Sequence, residues 1–243
     1  MEGLTTRAVV EDFAAPHLPP DGALPEQVEL DRLVRIRTRE LEDALRRSNL
    51  LLHEADHRVK NNMQMISAML MIQSMSISDE SIRSALLAML ERVEAMGLVH
   101  ERLHRSSDIS RFDIGEFTHE IAGNLVAATG RADIGLVVDA ASVIIHPDHA
   151  ASLALIMNET ITNALKHAFP SGRPGILLIT VKPLHRACEI SVRDDGLGMP
   201  SASPRPGNFG GTLIETLIRH LKATIEWLPA SPGTHVRIVL PLG

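Results

Sequence analysis

The sequence predicts an antiparallel helical hairpin, which pairs with a second copy into a dimeric four-helix bundle, followed by an α/β sandwich. Residues 28–74 contain neither proline nor glycine and carry a helical stripe of apolar side chains, and residues 82–103 carry a second stripe. From residue 109 onward, helix-like and strand-like segments are mixed, as in α/β domains. We therefore assign residues 1–26 to a flexible tail, 27–108 to the helical region and 109–243 to the α/β domain.

The composition narrows the class of protein. Of 243 residues, 44% are hydrophobic and 22% are charged, which allows a packed core. The net charge of −6 argues against a partner that is nucleic acid or an anionic membrane surface. A single cysteine excludes an internal disulfide framework and fits a reducing compartment. Because no apolar run approaches the roughly 20 residues of a spanning helix, we expect a cytoplasmic protein without membrane insertion.

The helical region begins with apolar or small residues at nearly alternating intervals of four and three, which is coiled-coil spacing. These residues are Leu30, Val34, Leu41, Ala44, Leu51 and Ala55. The first hairpin stripe then consists of Leu52, Ala55, Val59, Met63, Ile66, Leu70 and Gln73. The second consists of Ile82, Leu86, Met89, Val93, Met96, Val99 and Leu103. Ser78 is the expected N-cap between them. Because one hairpin cannot bury both stripes, a homodimer is expected.

The α/β domain is predicted from hydrophobic periodicity and from turn residues. Helices are expected at residues 114–129, from 147 to about 168, and up to about 221 after a glycine- and proline-containing stretch. Strands are expected at 134–138, 176–181, 188–192, 224–228 and 234–241.

The first hairpin helix carries a histidine away from its apolar stripe. At about 100° per residue, His57 lies about 160° from Val59, and Asn61 lies beside it. Glu54 is one turn before His57 on the same side. An exposed imidazole near a carboxylate and an amide can act as a nucleophile or a proton carrier, although most surface histidines have no such role.

The helix that follows Pro147 carries a second polar group. Glu159 and Asn163 are four residues apart and therefore project from one face, and Lys166 and His167 follow in the next turn. A carboxylate, an amide oxygen and a cation that converge in this way suit a hydrated Mg²⁺ ion with phosphates. The alternative is that these residues form the solvated face of an amphipathic helix.

Two glycine segments follow in the sequence. Asp194 and Asp195 end a strand and precede Gly196 and Gly198, so the backbone can approach a flat ligand whose amino group donates to a carboxylate. Residues 207–211 (GNFGG) precede a helix, whose N-terminal amides can hold an anion. No Gly-Lys-Ser/Thr follows, so this is not a Walker loop.

In this order, the motifs resemble those of two-component sensor histidine kinases of the subgroup with the signature His-Arg-x-Lys-Asn. The matching segments are HEADHRVKNNMQMISAMLMIQS and RVEAMGLVHERLH for the hairpin, NETITNALKHAF for the N box, DDGLGMP and FGGTLIETLI for the glycine boxes, and GTHVRIVLPL for the last strand. The resemblance covers roughly residues 50–243 and implies a Bergerat-type (GHKL) ATP-binding fold.

On the phosphate side, the resemblance implies that His57 is the phosphoacceptor and that Asn163 is a Mg²⁺ ligand. It also implies that Lys166 and His167 lie near the ATP phosphates and that Glu159 supports the metal site. Glu54 or Asp56 could orient the second ring nitrogen of His57, and the helical wheel favours Glu54.

On the adenine side, the resemblance implies that Asp194 reads the adenine amino group. Gly196, Gly198 and Gly210 would shape the pocket and its lid, and Thr234 would lie near the adenine. The sequence departs from the family where Asp195 replaces a common Asn, and the lid between Gly198 and Gly210 is short.

The resemblance implies a kinase that phosphorylates itself from ATP and then passes the phosphoryl group to an aspartate of a response regulator. The N-terminal helix would carry a signal from an upstream sensor protein. The alternative is a regulator phosphatase or phosphotransfer hub, in which Asn61 and Gln64 position a water. An anti-sigma-type serine kinase and an Hsp90-like ATPase share the ATP fold but fit the hairpin less well.

Overall fold

The structure is a computed structural model that describes residues 25–105, 111–198 and 209–242. The predicted tail and most of the predicted lid between Gly198 and Gly210 lie outside the described residues. Contacts divide the chain into two units, Met1–Ala55 and Asp56–Gly243, which we describe separately. The predicted boundaries near residues 26 and 108 stay predictions.

Two long helices open the described chain, as the apolar stripes predict. Helix α1 spans Pro25–Ser76 and helix α2 spans Glu80–Arg105. Residues 27–55 of α1, in the first unit, are all exposed. The prediction of Ser78 as N-cap of α2 is wrong: the Asp79 carboxylate accepts hydrogen bonds from the backbone N–H groups of Ser81 (2.8 Å) and Ile82 (3.1 Å). A carboxylate satisfies the first amides of a helix and also favours its positive end.

In the second unit, α1 packs on α2 through a narrow face. Along α1, the less exposed residues recur at intervals of three and four: Val59, Met63, Ser67, Leu70 and Ser74. The Met63 sulfur lies 3.7 Å from the position that a Cβ would take at Gly97, so the helices approach closely there. Ile66 and Gln73, which the periodicity assigned to the same stripe, are exposed in the single chain.

The α/β part is a five-stranded mixed sheet covered by three helices. Its elements are β1 (Phe112–Asp113), α3 (Ile114–Ala128), β2 (Ile134–Ala140), β3 (Ile144–Ile145), α4 (Pro147–His167), a 3₁₀ turn (Pro170–Gly172), β4 (Gly175–Leu184), β5 (Ala187–Asp194), α5 (Phe209–His220), β6 (Thr224–Pro229) and β7 (Thr234–Pro241). The strand order is β2-β4-β5-β7-β6, in which only β2 and β4 are parallel, and β1 pairs with β3 separately.

Alternate residues of the strands and one face of α4 build the core. On β4, Leu177, Ile179 and Val181 are buried, whereas Ile176 and Lys182 are exposed. The core also contains Ile114, Phe117, Leu153, Ile156, Ile161, Ile190 and Ile238. Burial of this surface against the helices fixes α4 on the sheet.

One guanidinium joins the segments that surround the C-terminal end of α4. Arg131 forms an ion pair with Asp133 (2.6 Å) and donates hydrogen bonds to the carbonyls of Phe169 (2.5 Å) and Arg173 (2.8 Å). Hydrogen bonds to a charged donor are stronger than neutral ones, so the loop before β2 and the chain after α4 are held together. The sequence analysis did not identify this residue.

Candidate functional site

Asp194 ends β5 with its carboxylate fixed by backbone donors. Its Oδ1 accepts hydrogen bonds from the N–H groups of Gly196 (2.9 Å) and Thr234 (3.1 Å). The residue is only 3% exposed, and burial raises the pKa of the Asp194 carboxyl above its ordinary value, an effect that these hydrogen bonds oppose. The structure therefore brings together Asp194 and Thr234, which the resemblance assigned to the same side of the pocket.

The glycines beside Asp194 allow a close approach of the backbone. A Cβ at Gly196 would lie 2.3 Å from the Ala168 carbonyl oxygen, and the next residue, Leu197, donates its N–H to that oxygen at 3.0 Å. Gly198 has a φ of +76° and would place a Cβ 3.0 Å from the Gly233 carbonyl oxygen. The glycine turn is thus tied to the chain just after α4.

The predicted polar residues of α4 project from one helix. Asn163, Lys166 and His167 are exposed, whereas Glu159 is 8% exposed. A Cβ at Gly210, near the start of α5, would lie 2.8 Å from Glu159 Oε2, so this glycine is placed directly against the carboxylate. The structure therefore brings Gly210 and Glu159 together, a contact that the sequence analysis did not predict.

Helix α2 supplies two charged residues to α4 that the sequence analysis did not identify. Arg92 Nε lies 2.7 Å from Glu159 Oε1, and Arg92 Nη2 lies 3.1 Å from Oε2. Lys166 Nζ lies 3.1 Å from both carboxylate oxygens of Glu91. No spacing rule could have found these pairs, because their members are 67 and 75 residues apart.

His57 is exposed on α1, as the helical wheel predicts. Its Nδ1 lies 3.2 Å from Asn61 Nδ2, one turn further along the helix. With Asn61 Nδ2 as the donor, Nδ1 accepts and the ring proton is on Nε2; with the amide turned by 180°, Asn61 Oδ1 accepts from Nδ1–H and the lone pair is on Nε2. Glu54 is exposed and lies in the first unit of the chain, and its predicted role stays a prediction.

The oxygen-bearing side chains of α4 suit a hydrated Mg²⁺ ion, which keeps several water ligands, better than a metal ion whose ligands all come from the protein. Within the described ranges, no group of three or more His, Cys, Asp or Glu side chains could hold a metal ion. Mg²⁺ keeps several waters and commonly binds through one or two side-chain oxygens together with phosphates. The exposed Asn163 amide offers an oxygen of this kind, whereas both oxygens of the neighbouring Glu159 carboxylate accept hydrogen bonds from Arg92.

Fold and site together define a helical hairpin joined to an ATPase-like α/β domain. Residues 54–129 match the model of the histidine kinase family, and residues 127–240 match that of the histidine kinase-like ATPase domain. The chain belongs to the histidine kinase family and contains a histidine kinase-like ATPase domain, which is a class of domain that binds ATP. Among the described residues, no helix is long and apolar enough to cross a membrane.

Similar proteins agree with this family. The chain is 30% identical to blue-light-activated histidine kinase 2 of Erythrobacter litoralis over 198 residues, which is 79% of this chain and 57% of that protein. It is 31% identical to the sensor histidine kinase PdtaS of Mycobacterium tuberculosis over 208 residues, which is 82% of this chain and 41% of that protein. The chain thus spans about half the length of these curated relatives.

Among solved structures, the chain resembles the histidine kinase domain of the Erythrobacter litoralis EL346 blue-light activated histidine kinase. That comparison has a TM-score of 0.59 at 29% identity and covers 79% of this chain and 90% of that one. The structural likeness therefore includes the helical region as well as the sheet.

Proposed function

We propose that the protein is an ATP-dependent protein-histidine kinase that phosphorylates His57 and passes the phosphoryl group to an aspartate of a response regulator. The observation that carries the proposal is the buried Asp194 carboxylate, which two backbone N–H groups orient beside a glycine turn tied to the end of α4. A fixed carboxylate acceptor at such a turn suits the exocyclic amino group of adenine.

In the proposed first step, His57 reacts in the tautomer that carries its proton on Nδ1, with the Asn61 amide turned so that its oxygen accepts that proton, and the Nε2 lone pair forms a bond to the γ-phosphorus of ATP. The bond between the γ-phosphorus and the bridging oxygen breaks, ADP leaves with the electron pair, and the ring loses one proton to solvent. Phosphoryl transfer requires mainly positioning and charge neutralisation, so an exposed imidazole needs no strong base. Mg²⁺, held through Asn163 with support from Glu159, would supply part of that neutralisation.

The proposed second step moves the phosphoryl group to a carboxylate oxygen of the regulator, and the bond between nitrogen and phosphorus breaks. We further propose a homodimer, because many apolar side chains of the hairpin remain exposed in the single chain, including Met65, Ile66, Met69 and Ile72. We also propose that an upstream sensor protein acts through α1. The proposed location of the protein is the cytoplasm.

The test is incubation of the chain with ATP labelled at the γ-phosphate. The expected product is a phosphoprotein that is labile in acid and stable in alkali, and that His57→Gln and Asp194→Asn abolish. His53→Gln is the matched control, because His53 is exposed on the same helix one turn earlier. Label that persists in His57→Gln, or that survives acid, would contradict the proposal.

A further inference from the structure

Two ion pairs join helix α2 to helix α4 at the proposed nucleotide site. The Arg92–Glu159 pair uses two hydrogen bonds, and its side chains are 15% and 10% exposed. The Glu91–Lys166 pair is more open, with side chains that are 30% and 45% exposed. The two α2 residues are consecutive in sequence, so one short segment of the hairpin holds two charged residues of α4.

The residues that α2 holds are those that the proposed function assigns to metal and phosphate. Each Glu159 oxygen accepts a hydrogen from Arg92, and the guanidinium offsets the negative charge that would attract a divalent cation. The Lys166 ammonium is likewise offset by the Glu91 carboxylate. These pairs therefore reduce the electrostatic attraction that the site can offer to Mg²⁺ and to phosphates.

A second carboxylate makes this part of α2 more negative. Burial and, to a smaller extent, the nearby Glu91 carboxylate raise the pKa of the Glu94 carboxyl above its ordinary value. A phosphate group that approaches Lys166 would meet the Glu91 carboxylate as a like charge.

We propose that Glu91 and Arg92 hold Lys166 and Glu159 while the site is empty, and that Mg²⁺ and nucleotide phosphates displace them on binding. The inference rests on the proposed function, because it assumes a nucleotide site at α4. Since α2 packs on α1 where Gly97 approaches Met63, loss of these pairs would also loosen the contact of α4 with the hairpin that carries His57. Nucleotide binding and presentation of the histidine would thus be coupled through the same two ion pairs.

A competition of this kind has a defined thermodynamic consequence. If the pairs must open before nucleotide binds, the observed affinity is reduced by the fraction of molecules in which they are open. Their removal should therefore strengthen binding, by roughly fivefold to tenfold for pairs of this exposure. It should also lower the melting temperature of the nucleotide-free chain, because two favourable contacts are lost, and increase the rise in melting temperature that nucleotide causes.

The test compares Glu91→Gln/Arg92→Met with a matched double variant, Glu80→Gln/Arg83→Met. Glu80 and Arg83 form an exposed ion pair on the same helix, so the control removes the same charges without touching α4. Dissociation constants for ADP with Mg²⁺ are measured by calorimetry on the full chain, and melting temperatures are measured with and without ADP. If the double variant does not fold, the same measurements are made on the single variant Glu91→Gln, for which tighter ADP binding is again expected.

Tighter binding in the α2 variant together with unchanged binding in the control is the expected result. Unchanged or weaker binding in the α2 variant would overturn the inference while leaving the proposed function intact. If the folded wild-type chain binds no ADP and neither variant does, the proposed nucleotide site itself is wrong. Binding that appears only when Glu91 and Arg92 are replaced would support both.

Discussion

Replacement of Gly196 by alanine puts a methyl group where the structure has no room for one. The new Cβ would lie 2.3 Å from the Ala168 carbonyl oxygen and 2.4 Å from the Ala168 Cβ, so relief requires the glycine turn to move away from the end of α4. That movement lengthens two hydrogen bonds, from the Gly196 N–H to Asp194 and from the Leu197 N–H to Ala168.

The expected cost adds these two effects. Overpacking in a rigid environment costs about 1 to 3 kcal/mol, and each lost hydrogen bond costs about 1 kcal/mol, so Gly196→Ala should lower the free energy of unfolding by about 3 to 5 kcal/mol. Gly123→Ala is the matched control. No atom lies within 4 Å of a Cβ at Gly123, which is in the interior of α3, so alanine should stabilise the helix by about 1 kcal/mol.

Urea unfolding followed by tryptophan fluorescence measures both variants. Trp227 is the only tryptophan of the chain and lies on β6, so its signal reports on the sheet. An unfolding free energy for Gly196→Ala within about 0.5 kcal/mol of the wild type would refute the steric argument, since that is the usual range of neutral surface changes. A larger loss in Gly123→Ala than in Gly196→Ala would refute it as well.

Acidification should weaken ADP binding, because burial raises the pKa of Asp194 and the carboxylate loses its acceptor capacity as the pH falls through that value. In a titration of affinity against pH, Asp194→Asn should bind at least about tenfold more weakly at neutral pH and lose this pH dependence. Burial raises the pKa of the Cys188 thiol to about 11, so a thiol reagent should label the native chain roughly a hundredfold more slowly than the unfolded chain; rapid native labelling would contradict the burial. Asn61→Ala should slow His57 phosphorylation several-fold relative to Asn61→Asp, whose carboxylate accepts from Nδ1–H and so keeps the lone pair on Nε2; equal rates, measured with labelled ATP, would show that the contact is incidental.

The long elements could be predicted from the sequence because local periodicity determines them. The last strand is observed at Thr234–Pro241, with the predicted bounds, and α4 ends within one residue of its expected limit. The two-residue strands at Phe112–Asp113 and Ile144–Ile145 were not predicted, because a pair this short has no measurable period. The N-cap of α2 was misassigned by one residue, since serine and aspartate both satisfy the capping pattern.

Within the site, sequence reasoning identified which residues share a face but not what packs against that face. The spacing of Glu159 and Asn163 predicted a shared face of α4, with Lys166 in the next turn, and their joint role stays a prediction. The ion-pair partners of Glu159 and Lys166, which are Arg92 and Glu91, lie on a helix far away in sequence, and only the tertiary fold brings them there. The contact between Gly196 and Ala168 is of the same kind, because it depends on where a strand end meets a helix end.

The contacts of Arg131 hold one side of the proposed nucleotide site more firmly than the other. By binding Asp133 and the carbonyls of Phe169 and Arg173, this side chain stiffens the chain that leaves α4, and that chain in turn anchors the turn which follows Asp194. The segment that bears Asp194 is therefore held in place by these hydrogen bonds, and we expect it to move little when a ligand binds. Adjustment to the shape of a bound nucleotide would then come from the α2 side, where the Glu91–Lys166 ion pair is open to solvent.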